Sequence, residues 1–172
     1  MILPTAAEEA RFWAMLENAW AGLGPGPNGV RRALAKRDTS VEVFEEAAEL
    51  EEHLDTVLLA LARACEGLSA EELTALDRVA ERKLHEIDRA DVQEVTDGSD
   101  DGFLYARGFI LALGQEFYEA VARDPRVAVQ DAECEAFCYF FAHLHAARFG
   151  DHPETGSGIS RESASNPAGW PR

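Results

Sequence analysis

The sequence predicts an all-α protein: a single-domain bundle of about five helices over residues 1–150, followed by a disordered tail over residues 151–172. Three observations predict it. Apolar residues recur at spacings of three and four, and no stretch of any length alternates with the two-residue period of a strand. Thr5 with Glu8, and Ser69 with Glu72, have the capping-box spacing that opens a helix. From Asp151 onward the composition turns to Gly, Ser, Pro, Asn and charge, too little apolar surface to offset the entropy of ordering it.

The first helix is predicted over residues 6–23, with Phe12, Leu16, Ala19 and Leu23 as its apolar stripe and Trp13 and Trp20 beside it. The Gly- and Pro-rich run from Gly22 to Gly29 predicts a loop. Residues 30–37 carry four of the sixteen basic residues in a short helix or a loop. The second helix is predicted over residues 41–66, capped by Thr39 or Ser40, with Phe44, Ala47, Ala48, Leu54, Leu58 and Leu61 inward. The third starts at Ser69, carries Leu73, Leu76, Ala80, Leu84 and Ile87 to the core, and fades before Asp97 and Gly98. Ser99 caps a fourth helix that runs to Arg123, where Asp124-Pro125 stops it. The fifth spans residues 131–149, closed by Gly150; Phe137, Cys138, Phe140, Phe141 and Leu144 cover so much of its circumference that helices four and five are expected to form the central pair.

Charge narrows the function classes. The 172 residues hold 32 acidic and 16 basic side chains, a net charge of −16. Such a surface repels nucleic-acid phosphates and anionic membranes and steers basic partners toward the protein. No stretch approaches the roughly 20 apolar residues that span a bilayer. The opening residues lack a basic region and a long apolar run, so no signal peptide is expected, and three cysteines do not make a disulfide framework. A reduced, cytoplasmic setting follows as the expectation.

Ser99-Asp100-Asp101-Gly102-Phe103, followed by Arg107-Gly108, Gly114, Tyr118 and Asp124-Pro125, resembles the signature of the bacterial domain-of-unknown-function family numbered 4240, whose members open with a pair like Phe12-Trp13. The resemblance covers Phe12 to Gly150 and is dense from Leu68 onward. It implies an all-helical fold and no reaction, and it matches the Glu and Tyr of the family's last helix to Glu135 and Tyr139. The chain departs from the pattern at Asp91-Val92-Gln93, where the family tends to carry Leu-Trp after the Asp.

Arg107 breaks the helical pattern most sharply. On a helical wheel it shares a face with Phe103, Ala106, Ile110, Gly114, Phe117 and Val121, and an inward guanidinium needs a partner. Asp91, on the stripe of the third helix, and Asp100, two turns earlier on the fourth, are the expected partners. The pair is either a structural tie between helices or part of a pocket in which Arg107 binds an anion. The ligand-binding candidates are therefore Asp91, Asp100, Asp101, Arg107, Glu135 and Tyr139.

Metal chemistry has weaker footing. Asp100 and Asp101 sit in a first helical turn, where acidic residues complement the dipole without any ion. Glu45, Glu49 and Glu52 share a face in a helix with no Lys or Arg between Val41 and Thr56. They are similar to the helix-borne carboxylates with which all-α nucleotide pyrophosphohydrolases bind magnesium. Those enzymes need a second acidic cluster, for which Glu86, Asp88, Asp91 and Glu94 are available, but charge runs on a helix are ordinarily a solvated face. Cys134, Cys138 and His145 share a face without a fourth ligand for zinc. Gly102, Gly108 and Gly114 recur every six residues; glycine is costly inside a helix, so Gly114 at least predicts a close helix approach. No Gly-x-Ser-x-Gly elbow, phosphate-binding glycine loop or catalytic triad is present, and no metal or cofactor is expected.

The sequence thus predicts a protein-binding or regulatory module whose partner is another protein, plausibly basic, with no direct nucleic acid and no membrane. A toxin neutralised by an immunity-type protein would be one such partner. The acidic second helix and the basic Arg31, Arg32, Lys36 and Arg37 are its candidate contact surfaces. The competing expectation is a metal-dependent hydrolase or a small-ligand enzyme that uses helix-borne carboxylates and Arg107. Oligomeric state stays open.

Overall fold

The computed structural model describes residues 1–96 and 98–170. Asp97, before which the sequence predicts the third helix to fade, and Pro171 and Arg172 of the predicted tail lie outside them. The described residues form nine α-helices and one 3-10 turn, with no strand. The helices are α1 (Ala6–Ala21), α2 (Pro25–Ala35), α3 (Phe44–Ala64), α4 (Ala70–Glu86), α5 (Ala90–Thr96), α6 (Asp100–Ala112), α7 (Gln115–Arg123), α8 (Glu135–Cys138) and α9 (Phe140–Phe149). None is long and apolar enough to cross a membrane.

Both capping boxes form. Thr5 Oγ1 accepts from the Glu8 N–H at 3.2 Å while the Glu8 carboxylate accepts from the Thr5 N–H, and Ser69 and Glu72 do the same at α4. Other expectations need correction. The Gly- and Pro-rich run is not a loop throughout: Pro25 opens α2, where its missing N–H has no helical partner to lose. Neither Thr39 nor Ser40 caps α3. Ser40 instead bonds through its N–H and hydroxyl to the Asp38 carboxylate, and α3 starts at Phe44, itself half exposed.

Three predicted helices are each two. The third breaks at residues 87–89 between α4 and α5, and the fifth breaks at Tyr139 between α8 and α9. The fourth breaks at Gly114, whose φ of 95° lies in the left-handed region that favours glycine. Around that break the last carbonyls of α6 find side-chain donors. Trp20 Nε1 donates to the Ala112 carbonyl at 2.7 Å, and Arg31 Nη1 donates to the Leu113 carbonyl at 2.9 Å. Arg31 is buried, paired with Glu17 at 2.6 Å and seated over the Trp20 ring. Gly114 is thus a turn against the Glu17–Arg31 pair and not a mid-helix crossing point.

The axis of the fold is α6, of which every residue from Phe103 to Ala112 except Tyr105 is buried. It packs against α8, α4 and α7, while α9 packs on α4 and buries only Phe141 and Ala142. The expected central pair therefore reduces to α6 and α8. Gly108 is the true close approach: a methyl there would overlap the Cys134 carbonyl oxygen and lie 2.7 Å from Cys138 Sγ. We expect Gly108→Ala to lower stability by about 1–3 kcal/mol, since this overlap outweighs the helix propensity of alanine. Chemical denaturation monitored by circular dichroism checks it; a stabilised variant would refute the packing.

The largest correction concerns residues 151–170. They contain no helix, and they are packed along the body rather than disordered as predicted. Ser157 and Arg161 are buried, the N–H groups of Ile2 and Ala90 donate to the Gly156 and Gly169 carbonyls, and Arg78 donates to the Thr155 carbonyl at 2.6 Å. Composition counts apolar area. This segment is held instead by charge and hydrogen bonds.

Candidate functional site

The site is the groove in which that segment lies. Its floor comes first from α4. Asp77, Glu81 and Leu84 follow one another at i, i+4 and i+7, and Asp88 continues the same face just past the helix end. The α8–α9 break contributes Tyr139, and α6 contributes Phe103 and Arg107.

Two anchors pin the segment. Arg161 inserts its guanidinium against Asp77 in a forked pair, Nη1 to Oδ1 at 3.1 Å and Nη2 to Oδ2 at 2.8 Å, with Glu81 at 3.5 Å. Its Nη1 also donates to the Cys138 carbonyl at 2.8 Å, left free by the break between α8 and α9. The guanidinium lies 4.7 Å from the centre of the Tyr139 ring. Arg161 is 5 % and Asp77 2 % exposed. Burial alone would pull the Arg161 pKa down, but the Asp77 hydrogen bonds and the Asp77 and Glu81 charges outweigh it, so the net shift is upward. The other Glu81 oxygen accepts from Ser157 Oγ at 2.5 Å and Thr155 Oγ1 at 2.7 Å.

The second anchor surrounds Asp88, which is fully buried. Its carboxylate accepts from the N–H groups of Ala164, Ser165 and Asn166 at 3.0, 2.7 and 2.8 Å, and from Trp170 Nε1 at 3.0 Å. The Trp170 ring meets Phe103 edge-on at 6.0 Å. A single buried acid thus gathers three consecutive backbone N–H groups of a partly exposed turn.

Between the anchors lies Arg107, with no exposed surface. The inward orientation predicted from the wheel holds, but the predicted ion pair does not form. Asp91 is exposed and pairs with Arg89 at 2.6 Å, because the helix break at residues 87–89 carries it away from α6. The Asp100 side chain is exposed in the first turn of α6, and that residue meets the groove through its carbonyl, which accepts from Ser163 Oγ at 2.5 Å. Arg107 Nη1 donates to the Leu84 carbonyl at 2.9 Å and Nη2 to Ser163 Oγ at 3.2 Å, with the guanidinium 4.7 Å over the Phe103 ring. Burial lowers its pKa, and the nearby charge of Asp88 offsets this only in part.

Of the other predicted site residues, Tyr139 belongs to the groove, donating its hydroxyl to Glu162. Burial, and then that hydrogen bond, push its pKa up to about 12. Asp101 is exposed, and exposed Glu135 stands beside Tyr105, raising the pKa of that phenol. Glu45, Glu49 and Glu52 are exposed on α3, and among the described residues no three His, Cys, Asp or Glu side chains converge on a metal position. Of the proposed second cluster, Glu86 is held by Arg82 and Lys83, Asp91 by Arg89 and Asp88 by the segment itself. Cys65, Cys134 and Cys138 are buried free thiols, pushed by burial up to about 11, 11 and 12, as core residues are. Beside Arg161 a cavity of about 510 Å³ remains open, lined by Asp77, Glu81, Tyr139, His143 and His152.

Sequence reasoning missed Asp77, Glu81, Arg161 and Trp170, and it named Asp88 only as a member of a possible second metal-binding cluster. One signal was available: acids at i and i+4 bordering the apolar stripe of α4, with a third two residues past the helix end. Nothing local marked their counterparts, which lie more than 70 residues away.

No curated protein and no solved structure matches the chain. The model of the family described as "Protein of unknown function (DUF4240)" matches residues 8–148, most of the length and the whole floor of the groove, and the chain belongs to that family.

Proposed function

We propose that the protein is a binding module whose groove takes up a non-helical, arginine-bearing segment of a partner protein. The observation that carries this is the seat of Arg161. Two carboxylates, a free carbonyl and an aromatic face converge on one guanidinium, and the floor that supplies them lies within the family-matched residues while the arginine lies outside them. Forked charge-assisted bonds of this kind recognise arginine by geometry as well as charge. The occupant has no helix or strand of its own, so the groove is shaped for irregular chain that ends in a turn. A net charge of −16 speeds the approach of basic segments and favours them over acidic ones.

The test uses the full chain carrying Arg161→Ala, which loosens the internal occupant while leaving the apolar core unaltered. A fluorescent peptide copying residues 155–170 is titrated against it and read by anisotropy. We expect saturable binding, lost when Asp77→Asn is added to the same chain. Binding to the unaltered chain should be weaker by at least tenfold, because the tethered segment competes at an effective concentration of order millimolar. No binding to the Arg161→Ala chain would overturn the reading. A small-ligand reading rests on the cavity beside Arg161, whose acids, phenol and imidazoles suit a cationic molecule; uptake of free arginine but not of the peptide would favour it.

A further inference from the structure

Arg161 and Arg107 are both buried guanidinium groups in one groove, and their surroundings differ in kind. Arg161 meets two carboxylates. Among the described residues no carboxylate lies within the 4.0 Å of an ion pair to Arg107. Its charge rests on the Leu84 carbonyl, the Ser163 hydroxyl and the Phe103 face, and its Nε has no hydrogen-bond partner. The acids whose field reaches it are engaged elsewhere: Asp88 is filled by the N–H groups of residues 164–166 and by Trp170, and Glu162 accepts from Tyr139. A buried cation with no carboxylate in contact is unfavourable, and a groove floor that retains one is matched to an anion closer than Asp88 and the occupant's own Glu162 come.

The position facing Arg107 is Ser163, two residues after the arginine anchor. Resting on the groove reading above, we infer that the segment this groove selects in a partner carries an arginine and, two residues later, an aspartate or glutamate. The chain's own segment, with serine at that place, is a mismatched occupant that such a partner displaces. An aspartate on the backbone of residue 163 replaces a hydroxyl by a carboxylate on the same Cβ, one bond longer, and presents two oxygens to the guanidinium fork. It forfeits the hydrogen bond that Ser163 donates to the Asp100 carbonyl, at the exposed end of α6 where water can replace it. The new charge also lies near the N-terminus of α6, where the helix dipole favours an anion.

Two measurements test this. In the first, labelled copies of residues 155–170 bearing Ser, Asn or Asp at position 163 are titrated against the full chain carrying Arg161→Ala. The Ser163→Asp peptide is expected to bind at least tenfold tighter than the other two, and adding Arg107→Met to the chain is expected to abolish that advantage. In the second, Ser163→Asp is placed in the otherwise unaltered chain. Its Tm is expected to rise by several degrees, while Ser163→Asn leaves it within about a degree or lowers it. Equal binding of the three peptides, or an unchanged or lowered Tm for Ser163→Asp, overturns the acidic specificity and leaves the groove standing. Failure of all three peptides to bind overturns the groove as a partner site, and the Tm of Ser163→Asp then still decides whether Arg107 accepts a carboxylate from residue 163.

Discussion

Arg161→Ala is expected to lower the unfolding free energy by about 3–5 kcal/mol, the range for breaking a buried ion pair. Asp77 and Glu81 would keep their burial and lose their cation, and the Cys138 carbonyl would lose its donor. For a chain of this length that is a fall in Tm of roughly 10 °C. The loss has a ceiling. If residues 151–170 lift away, water reaches both acids, so the cost cannot exceed the docking free energy of the segment. Hydrogen exchange separates the two cases: lifting would expose the N–H groups of Ala164, Ser165 and Asn166 that Asp88 protects. Adding Asp77→Asn and Glu81→Gln to Arg161→Ala should recover part of the loss, since the stranded charges are then gone. A change below about 1 kcal/mol for Arg161→Ala would show that the pair does not hold the segment down.

Arg107→Ala is expected to cost a similar amount, about 3–5 kcal/mol, for a different reason. No acid is stranded. The loss comes from the void left by a long side chain in the middle of the fold, and from the Leu84 carbonyl, one of the last in α4, which loses a buried donor. Arg107→Met separates the contributions. It refills most of the void and removes the uncompensated charge, so it should cost less than about 1.5 kcal/mol. Arg161→Met has no such escape, because the two carboxylates remain without a cation, and it should behave like Arg161→Ala. Denaturant midpoints of the four variants at constant m-value check the pattern. If methionine is as damaging at 107 as at 161, Arg107 has a hidden acidic partner and the contrast between the two arginines fails.

The helical class was legible because it rests on local regularities. Apolar spacing marks Phe12, Leu16 and Ala19 on α1 and Leu73, Leu76 and Leu84 on α4 whatever they pack against, and all are buried. The caps at Thr5, Ser69 and Ser99 were legible because a side chain meets a backbone N–H three residues away. The inward turn of Arg107 followed from the same wheel that placed Phe103 and Ile110. Helix breaks were not legible. A wheel carries on through Gly114, Asp88 and Tyr139 without interruption, and what stops the helices there is external: the Glu17–Arg31 pair, the packed segment, and the seat of Arg161 on the Cys138 carbonyl. The glycine repeat pointed to a close approach at Gly114, whereas Gly108 makes it, since that depends on where residues 134–138 cross α6.

By itself, then, the sequence determined that this protein is built of helices, that the fourth predicted helix turns an apolar face inward, and that one guanidinium lies on that face. Tertiary structure decided which acids meet which cations, and it turned a segment of unordered composition into the filling of a groove. The physical reason is range. Helix periodicity and capping are settled within four residues of chain. The pairing of Asp77 with Arg161 spans 84 residues, and its stability comes from burial and charge matching that have no meaning until the helices have packed.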